Sequence, residues 1–126
     1  MAVTTRKAHH PLYYDLAGIV GPEYVRDDDF TLETYSRDTS PLPPNKQGIV
    51  VRPANQDQVV EIVRLSNVSK IPIVPSGGRA SFYGTPRGMP GKGIVVDMTR
   101  VKRMIDIDEV NLTATAEAGI TTSELT

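Results

Sequence analysis

The stretch from Gly48 to Val74 narrows the fold more than any other part of the chain. Gly48-Ile49-Val50-Val51-Arg52 is a brief apolar, β-branched run that Pro53 closes, which reads as a strand. Asn55 follows as a helix N-cap with Gln58 at the third helical position, a capping-box arrangement. The helix runs to about Ser69, with Val59, Val60, Ile62, Val63 and Leu65 covering one broad face while Asp57, Glu61 and Arg64 stay polar. Lys70-Ile71-Pro72 ends it, and Ile73-Val74 forms a second strand. Strand, helix and strand in so short a span is the size of a parallel crossover unit, so the fold class is α/β (α+β).

The flanking segments extend this unit. Leu12, Leu16, Ile19 and Val20 recur at three- and four-residue steps before Gly21-Pro22, the pattern of a short amphipathic helix. Phe30 to Tyr35 adds a helical turn, and Ser40-Pro41-Leu42-Pro43-Pro44-Asn45 is an extended connector, because proline fixes φ and removes a donor. Residues 1–47 are therefore expected to be a helical segment and connector, and 48–126 the main unit. Ile94 to Asp97 is a further strand; Met104 to Ile107 and Leu112 to Ala116 flank the polar Asp108-Glu109-Val110-Asn111 as a hairpin that makes the sheet mixed. Thr121-Thr122-Ser123-Glu124 opens a helix with a capping box two residues before the chain stops, so a truncated or split chain is expected, marginally stable by itself.

Composition removes several function classes. Fourteen Lys and Arg nearly balance fifteen Asp and Glu, and the one like-charge run is Asp27-Asp28-Asp29, so no nucleic-acid partner is expected. With no cysteine there is no disulfide framework, thiolate metal site or cysteinyl link to a cofactor, and a cytoplasmic location is expected. No stretch approaches the roughly 20 apolar residues of a membrane span. His9-His10 lacks a third ligand at a fixed spacing and reads as a mobile tail, so no metal site is assigned.

The loop after the second strand carries the chemistry. Ser76 to Gly93 holds Gly77, Gly78, Gly84, Gly88, Gly91 and Gly93, six of the ten glycines. It leaves the C-terminal end of a strand, where α/β folds place ligands. Gly77 and Gly78 can adopt φ values closed to other residues and aim successive N–H groups into one anion-binding concavity. Ser76 and Ser81 can add hydroxyls, Arg79 a charged fork or stacking surface, and Tyr83 a planar ring. Taken alone, a Gly-Gly pair is more often only a tight surface turn. Gly88-Met89-Pro90-Gly91-Lys92-Gly93 has neither the spacing nor the Ser/Thr of a P-loop, and no G-x-G-x-x-G opens a helix.

Several ordered motifs carry a resemblance. Val50-Val51-Arg52-Pro53, Ile71-Pro72-Ile73-Val74-Pro75-Ser76-Gly77-Gly78, Gly84, Gly93-Ile94-Val95-Val96-Asp97-Met98 and Leu112 to Ile120 together resemble the first lobe of the FAD-binding (PCMH-type) domain of the vanillyl-alcohol-oxidase/p-cresol-methylhydroxylase superfamily. The style is closest to its branch of glycolate oxidases and D-lactate dehydrogenases. The resemblance implies FAD, its pyrophosphate held by Pro75, Ser76, Gly77, Gly78, Arg79, Ala80, Ser81, Tyr83 and Gly84, with Pro53 near the adenine side and Ala118-Gly119 closing on the cofactor. That branch commonly has a third glycine and a threonine where Arg79 and Ala80 stand, and Gly78-Arg79 with Tyr83-Gly84 resembles the 4-alkylphenol-oxidising members instead. Members that link FAD through histidine would place it at Arg79, which cannot form the bond, so noncovalent flavin is expected.

The implied activity is oxidation of a 2-hydroxy acid by a flavin-dependent enzyme, with a 4-alkylphenol or other alcohol as the alternative substrate class. A non-catalytic fragment or assembly subunit of a split flavoenzyme is a third reading. The implied partners are the remainder of the flavoenzyme, or another subunit supplying the second lobe, and a small-molecule substrate. No catalytic residue is assigned: Asp97, Asp106 and Asp108 fall at strand ends and turns, where solvated carboxylates are commonplace.

Overall fold

A computed structural model describes residues 8–37, 41–78 and 90–125. In chain order the elements are α1 (Tyr13–Val20), a 3-10 turn (Pro22–Tyr24), β1 (Val25–Arg26), α2 (Asp29–Thr34), β2 (Ile49–Val51), α3 (Gln56–Ser69), β3 (Ile73–Ser76), β4 (Ile94–Asp97), β5 (Met104–Asp108), β6 (Thr113–Ala116) and α4 (Thr122–Leu125).

The expected strands and helices are present, but their assembly departs from a simple crossover. The main sheet has the order β1-β2-β4-β3, so β4 inserts between the two strands that α3 connects. β4 pairs in parallel with both, Val51 and Pro75 each standing opposite Val96. The mixed character of this sheet comes from β1, antiparallel to β2, while β5 and β6 form a separate two-stranded sheet rather than joining it. β1 is two residues long, too short to leave a period in the sequence.

Strands paired on both sides and covered on both faces should be apolar throughout, and every residue of β2 is buried. Alternate side chains face opposite layers. Ile49, Val51, Ile94 and Val96 pack with Leu12, Leu16 and Val20 around α1, with Val25 of β1 and with Ile62 of α3. Val50 and Val95 meet Leu32 and the half-buried Tyr35 on the other side. The segment before residue 48 thus shares one core with the strands.

Two expectations need correction. The broad apolar face of α3 is narrower than its sequence implies: Ile62 is buried and Leu65 packs on the core, whereas Val60, Val63 and Val68 are exposed. The histidines are not a free tail. His9 stacks on Tyr13 with ring centroids 3.8 Å apart and sets Nδ1 2.9 Å from Asp27 Oδ2. The His10 amide donates to Asp27 Oδ2 at 2.9 Å, and His10 Nε2 lies 2.8 Å from the Lys92 carbonyl oxygen, so the pair clasps the start of α1 to two distant turns.

The helix ends follow the capping rules. Asn55 Oδ1 accepts from the Gln58 amide at 3.0 Å, while Gln58 Oε1 reaches back to the Ala54 amide at 2.7 Å, one residue before the position of a strict capping box. At α4 the box is reciprocal: the Thr121 amide donates to Glu124 and the Glu124 amide to Thr121 Oγ1.

Asp28 caps α2, accepting from the Thr31 amide at 3.0 Å. Its carboxyl is lowered from 3.8 to about 2, first by the hydrogen bond from Arg26 and, against an opposing cost of desolvation, by Thr31. A depressed folded value makes the cap's contribution complete above the ordinary value and lost as pH falls through about 2. Asp28→Ala should therefore cost about 1 kcal/mol at neutral pH, as N-cap losses do. Urea denaturation should show the gap between variant and parent narrowing as pH drops below 3.8.

Candidate functional site at the strand ends

The interleaved strand order sets three chain segments side by side at the C-terminal ends of β2, β4 and β3: Arg52-Pro53, Asp97-Met98-Thr99 and Ser76-Gly77-Gly78. Open α/β sheets take their ligands outside this edge, where the connections diverge. The Met98 amide donates to the Ser76 carbonyl at 2.8 Å, continuing the β3–β4 ladder one step and tying the glycine pair to the turn after β4.

A second wall comes from the segment after β6. The Gly119 amide donates to the Val101 carbonyl at 2.8 Å, and the Glu117 amide to the Arg103 carbonyl at 2.9 Å. Gly119 is buried, and a β-carbon there would lie 1.8 Å from the Met98 carbonyl oxygen, so only hydrogen fits. A β-carbon on Gly77 would stand 3.9 Å from the Ala118 carbonyl oxygen, which makes Gly77 and Ala118 neighbours across this corner. Among the described residues, one on Gly78 would meet nothing within 4 Å.

The conformational reason given for the glycine pair does not hold, because neither Gly77 nor Gly78 has positive φ. Their missing β-carbons matter here for access rather than for backbone angle. Among the other expected site residues, Pro53 is fully buried and shapes the floor, Pro75 is exposed and Ser76 half-buried. Arg79, Ala80, Ser81, Tyr83 and Gly84 lie outside the described residues.

Asp97 is not the solvated carboxylate expected from its position. It is 4% exposed and surrounded by donors. Oδ1 accepts from the Thr99 amide at 2.9 Å and from Thr99 Oγ1 at 2.6 Å; Oδ2 accepts from the Tyr35 hydroxyl and lies 3.6 Å from Arg52 Nε. Burial of a charge is tolerated only with such partners. Tyr35 comes from sixty-two positions away, and no local pattern could have revealed it.

Beside this corner lies an open cleft of about 660 Å³ whose lining includes Ala54, Asn55, Arg100, Lys102, Arg103 and Glu117. It begins just after Pro53 and reaches the residue before Ala118. Arg100 sits 3.4 Å above the centre of the Tyr24 ring and donates from Nη1 to the Arg52 carbonyl at 2.7 Å. Its three cations, Arg100, Lys102 and Arg103, stand against the carboxylates of Asp57 and Glu117, and Arg103 Nε lies 3.5 Å from Glu117 Oε1. Among the described residues, no group of three or more His, Asp or Glu side chains is placed to hold a metal ion.

A parallel α/β lobe with an accessible glycine turn at its strand ends, a second backbone wall and an open polar cleft beside it fits a dinucleotide whose phosphates are met by main-chain donors. The family of FAD binding domains matches residues 48–126, and the chain belongs to that family. Glycolate oxidase subunit GlcD of Bacillus subtilis (strain 168) is 30% identical over 110 residues, 87% of this chain and 23% of that protein. D-2-hydroxyglutarate dehydrogenase of Stutzerimonas stutzeri (strain A1501) is 31% identical over 112 residues, 88% of this chain and 24% of that protein. The structure of p-cresol methylhydroxylase with substrate bound superposes with a TM-score of 0.77 at 22% identity, covering 90% of this chain and 22% of that one. The fold is thus that of PCMH-type FAD-binding proteins, and the chain spans about a quarter of the length of the relatives it matches. No helix among the described residues is long and apolar enough to cross a membrane.

The contact between Gly119 and Met98 gives a direct check on the wall. Gly119→Ala forces backbone to move against backbone and should destabilise the chain by at least the roughly 1–3 kcal/mol usual for overpacking. Loss of amide protection at Gly119 and Met98 in hydrogen exchange would report it.

Proposed function

We propose that this chain is the FAD-binding portion of a flavin-dependent oxidoreductase acting on a 2-hydroxy acid. In this reading residues 48–126 form the flavin-binding unit and residues 1–47 buttress it. The observation that carries the reading is the glycine pair at the ends of three parallel strands, with Gly77 beside Ala118 and no described residue within 4 Å of a β-carbon on Gly78. Main-chain donors from Ser76 onward would hold the pyrophosphate, with Arg79, Ala80, Ser81, Tyr83 and Gly84 continuing the loop. Pro53 would set the adenine side. When bound, FAD accepts the electrons removed from substrate, and the chain's own residues orient it. With arginine at position 79 the flavin is held noncovalently.

The substrate class rests on the glycolate oxidase and D-2-hydroxyglutarate dehydrogenase relatives. A second reading, oxidation of a 4-alkylphenol, is favoured by Gly78-Arg79 with Tyr83-Gly84 and by the fold shared with p-cresol methylhydroxylase. In both readings the groups that bind substrate and take its proton come from the remainder of the flavoenzyme or from another subunit. In support, Ile105, Ile107, Val110 and Leu112 of the hairpin are all more than half exposed, more apolar surface than a hairpin normally leaves to water.

Two measurements test these assignments. Gly78→Val should weaken FAD binding more than Ser81→Ala, because valine methyls fill the space the ligand needs while alanine removes one hydroxyl, typically worth about 0.5–1.5 kcal/mol. Titration of FAD by fluorescence would check the order, and equal or reversed losses would mean that the loop does not approach the cofactor through its backbone. In the flavin-loaded assembly, anaerobic bleaching by a D-2-hydroxy acid supports the first reading, and bleaching by a 4-alkylphenol alone supports the second.

A further inference from the structure

We infer that the Tyr35 hydroxyl, acting through Asp97, positions both walls of the flavin site, so that the segment preceding the family-matched residues is a working part of it. The inference rests on the flavin-binding reading above and names residues that reading does not use. Both walls are built on one turn. Ser76 accepts from the Met98 amide, which sets the base of the glycine pair; Gly119 donates to Val101 and packs its α-carbon on the Met98 carbonyl, which sets the opposite wall. The Val101 amide in turn donates to the Met98 carbonyl at 2.9 Å, closing the turn on itself.

One carboxylate holds the start of this turn. Asp97 Oδ1 fixes the Thr99 amide and hydroxyl, and rotation of the carboxyl group about its side chain would break both bonds together. Its orientation is set by Oδ2. There the sole hydrogen bond among the described residues is from Tyr35, since Arg52 Nε stands at 3.6 Å, close enough to attract but not to bond. Arg52 is itself steered by the same group, its Nη2 donating to Thr99 Oγ1 at 3.4 Å.

The tyrosine ring and its hydroxyl have separable roles. The ring packs against Val50, Val95 and Leu32, which is a matter of stability. The hydroxyl alone reaches Asp97. Tyr35→Phe therefore keeps the packing and removes the orienting bond, and Asp97→Asn keeps the shape but turns one acceptor into a donor facing Arg52.

The test uses the full chain and two readouts. In Tyr35→Phe, the amides of Met98, Thr99, Val101 and Gly119 should exchange with solvent about fivefold faster, the equivalent of one neutral hydrogen bond, while those of Leu16 and Gly48 are unchanged. FAD should bind about fivefold more weakly. Asp97→Asn should show both effects, and adding Tyr35→Phe to it should add little, because the hydroxyl acts through that carboxylate. A uniform rise in exchange at all amides would reduce Tyr35 to a stability residue and overturn the inference, as would an unchanged FAD affinity in a parent chain that binds FAD. The affinities are read on the assembled flavoenzyme, where failure of the parent to bind FAD would overturn the flavin-binding reading, and the exchange pattern would still decide whether Tyr35 positions the turn.

Discussion

The parallel pairing of β4 with β2 on one side and β3 on the other holds the molecule in register. Each of the three strands contributes a loop at the same edge, and those loops are adjacent only because β4 lies between the strands joined by α3. The pairing also sorts side chains into layers. Ile94 and Val96 join Ile49 and Val51 beneath α1 and α3, while Val95 joins Val50 beneath α2. A slip of one residue would reverse these faces and turn Asp97 from its partners, so burial of the valines and placement of the polar turn are one constraint.

At the end of that apolar sheet the chain switches from side-chain packing to polar and main-chain contacts. The buried carboxylate of Asp97 is compensated by Thr99, Tyr35 and the nearby Arg52, so its burial does not leave a charge unpaired. Beyond it the glycines decide what can approach. Gly119 is tight against Met98 and lets two backbones touch, whereas no described residue stands within 4 Å of a β-carbon on Gly78. One glycine serves internal packing and the other, in the flavin-binding reading we propose, leaves room for the ligand; both uses depend on the missing β-carbon.

Much of the fold was legible in local pattern. The limits of α3 follow from Asn55 at its start and from the Lys70-Ile71-Pro72 stop, where Lys70 takes a left-handed conformation. β4 spans Ile94–Asp97 as its β-branched run indicates. The hairpin falls at its polar connection, because capping, proline stops and turn residues act within a few positions. What escaped was long-range. β1 has two residues and exists because β2 offers an edge; the histidines are anchored by Asp27 and Lys92, far along the chain. The valines of α3 form a stripe on paper, yet only one side of that stripe meets the sheet.

The sequence by itself determined the α/β class, the glycine-rich loop at a strand end and the family to which residues 48–126 belong, since each is written in short-range order of residue types. The tertiary structure alone decided that β4 is the central strand, that Gly77 faces Ala118, that Gly119 is a packing residue, and that Asp97 is buried under Tyr35. Such facts depend on which distant segments pair. Pairing is chosen by the burial of whole faces, a property of the assembled sheet that no local run of residues encodes.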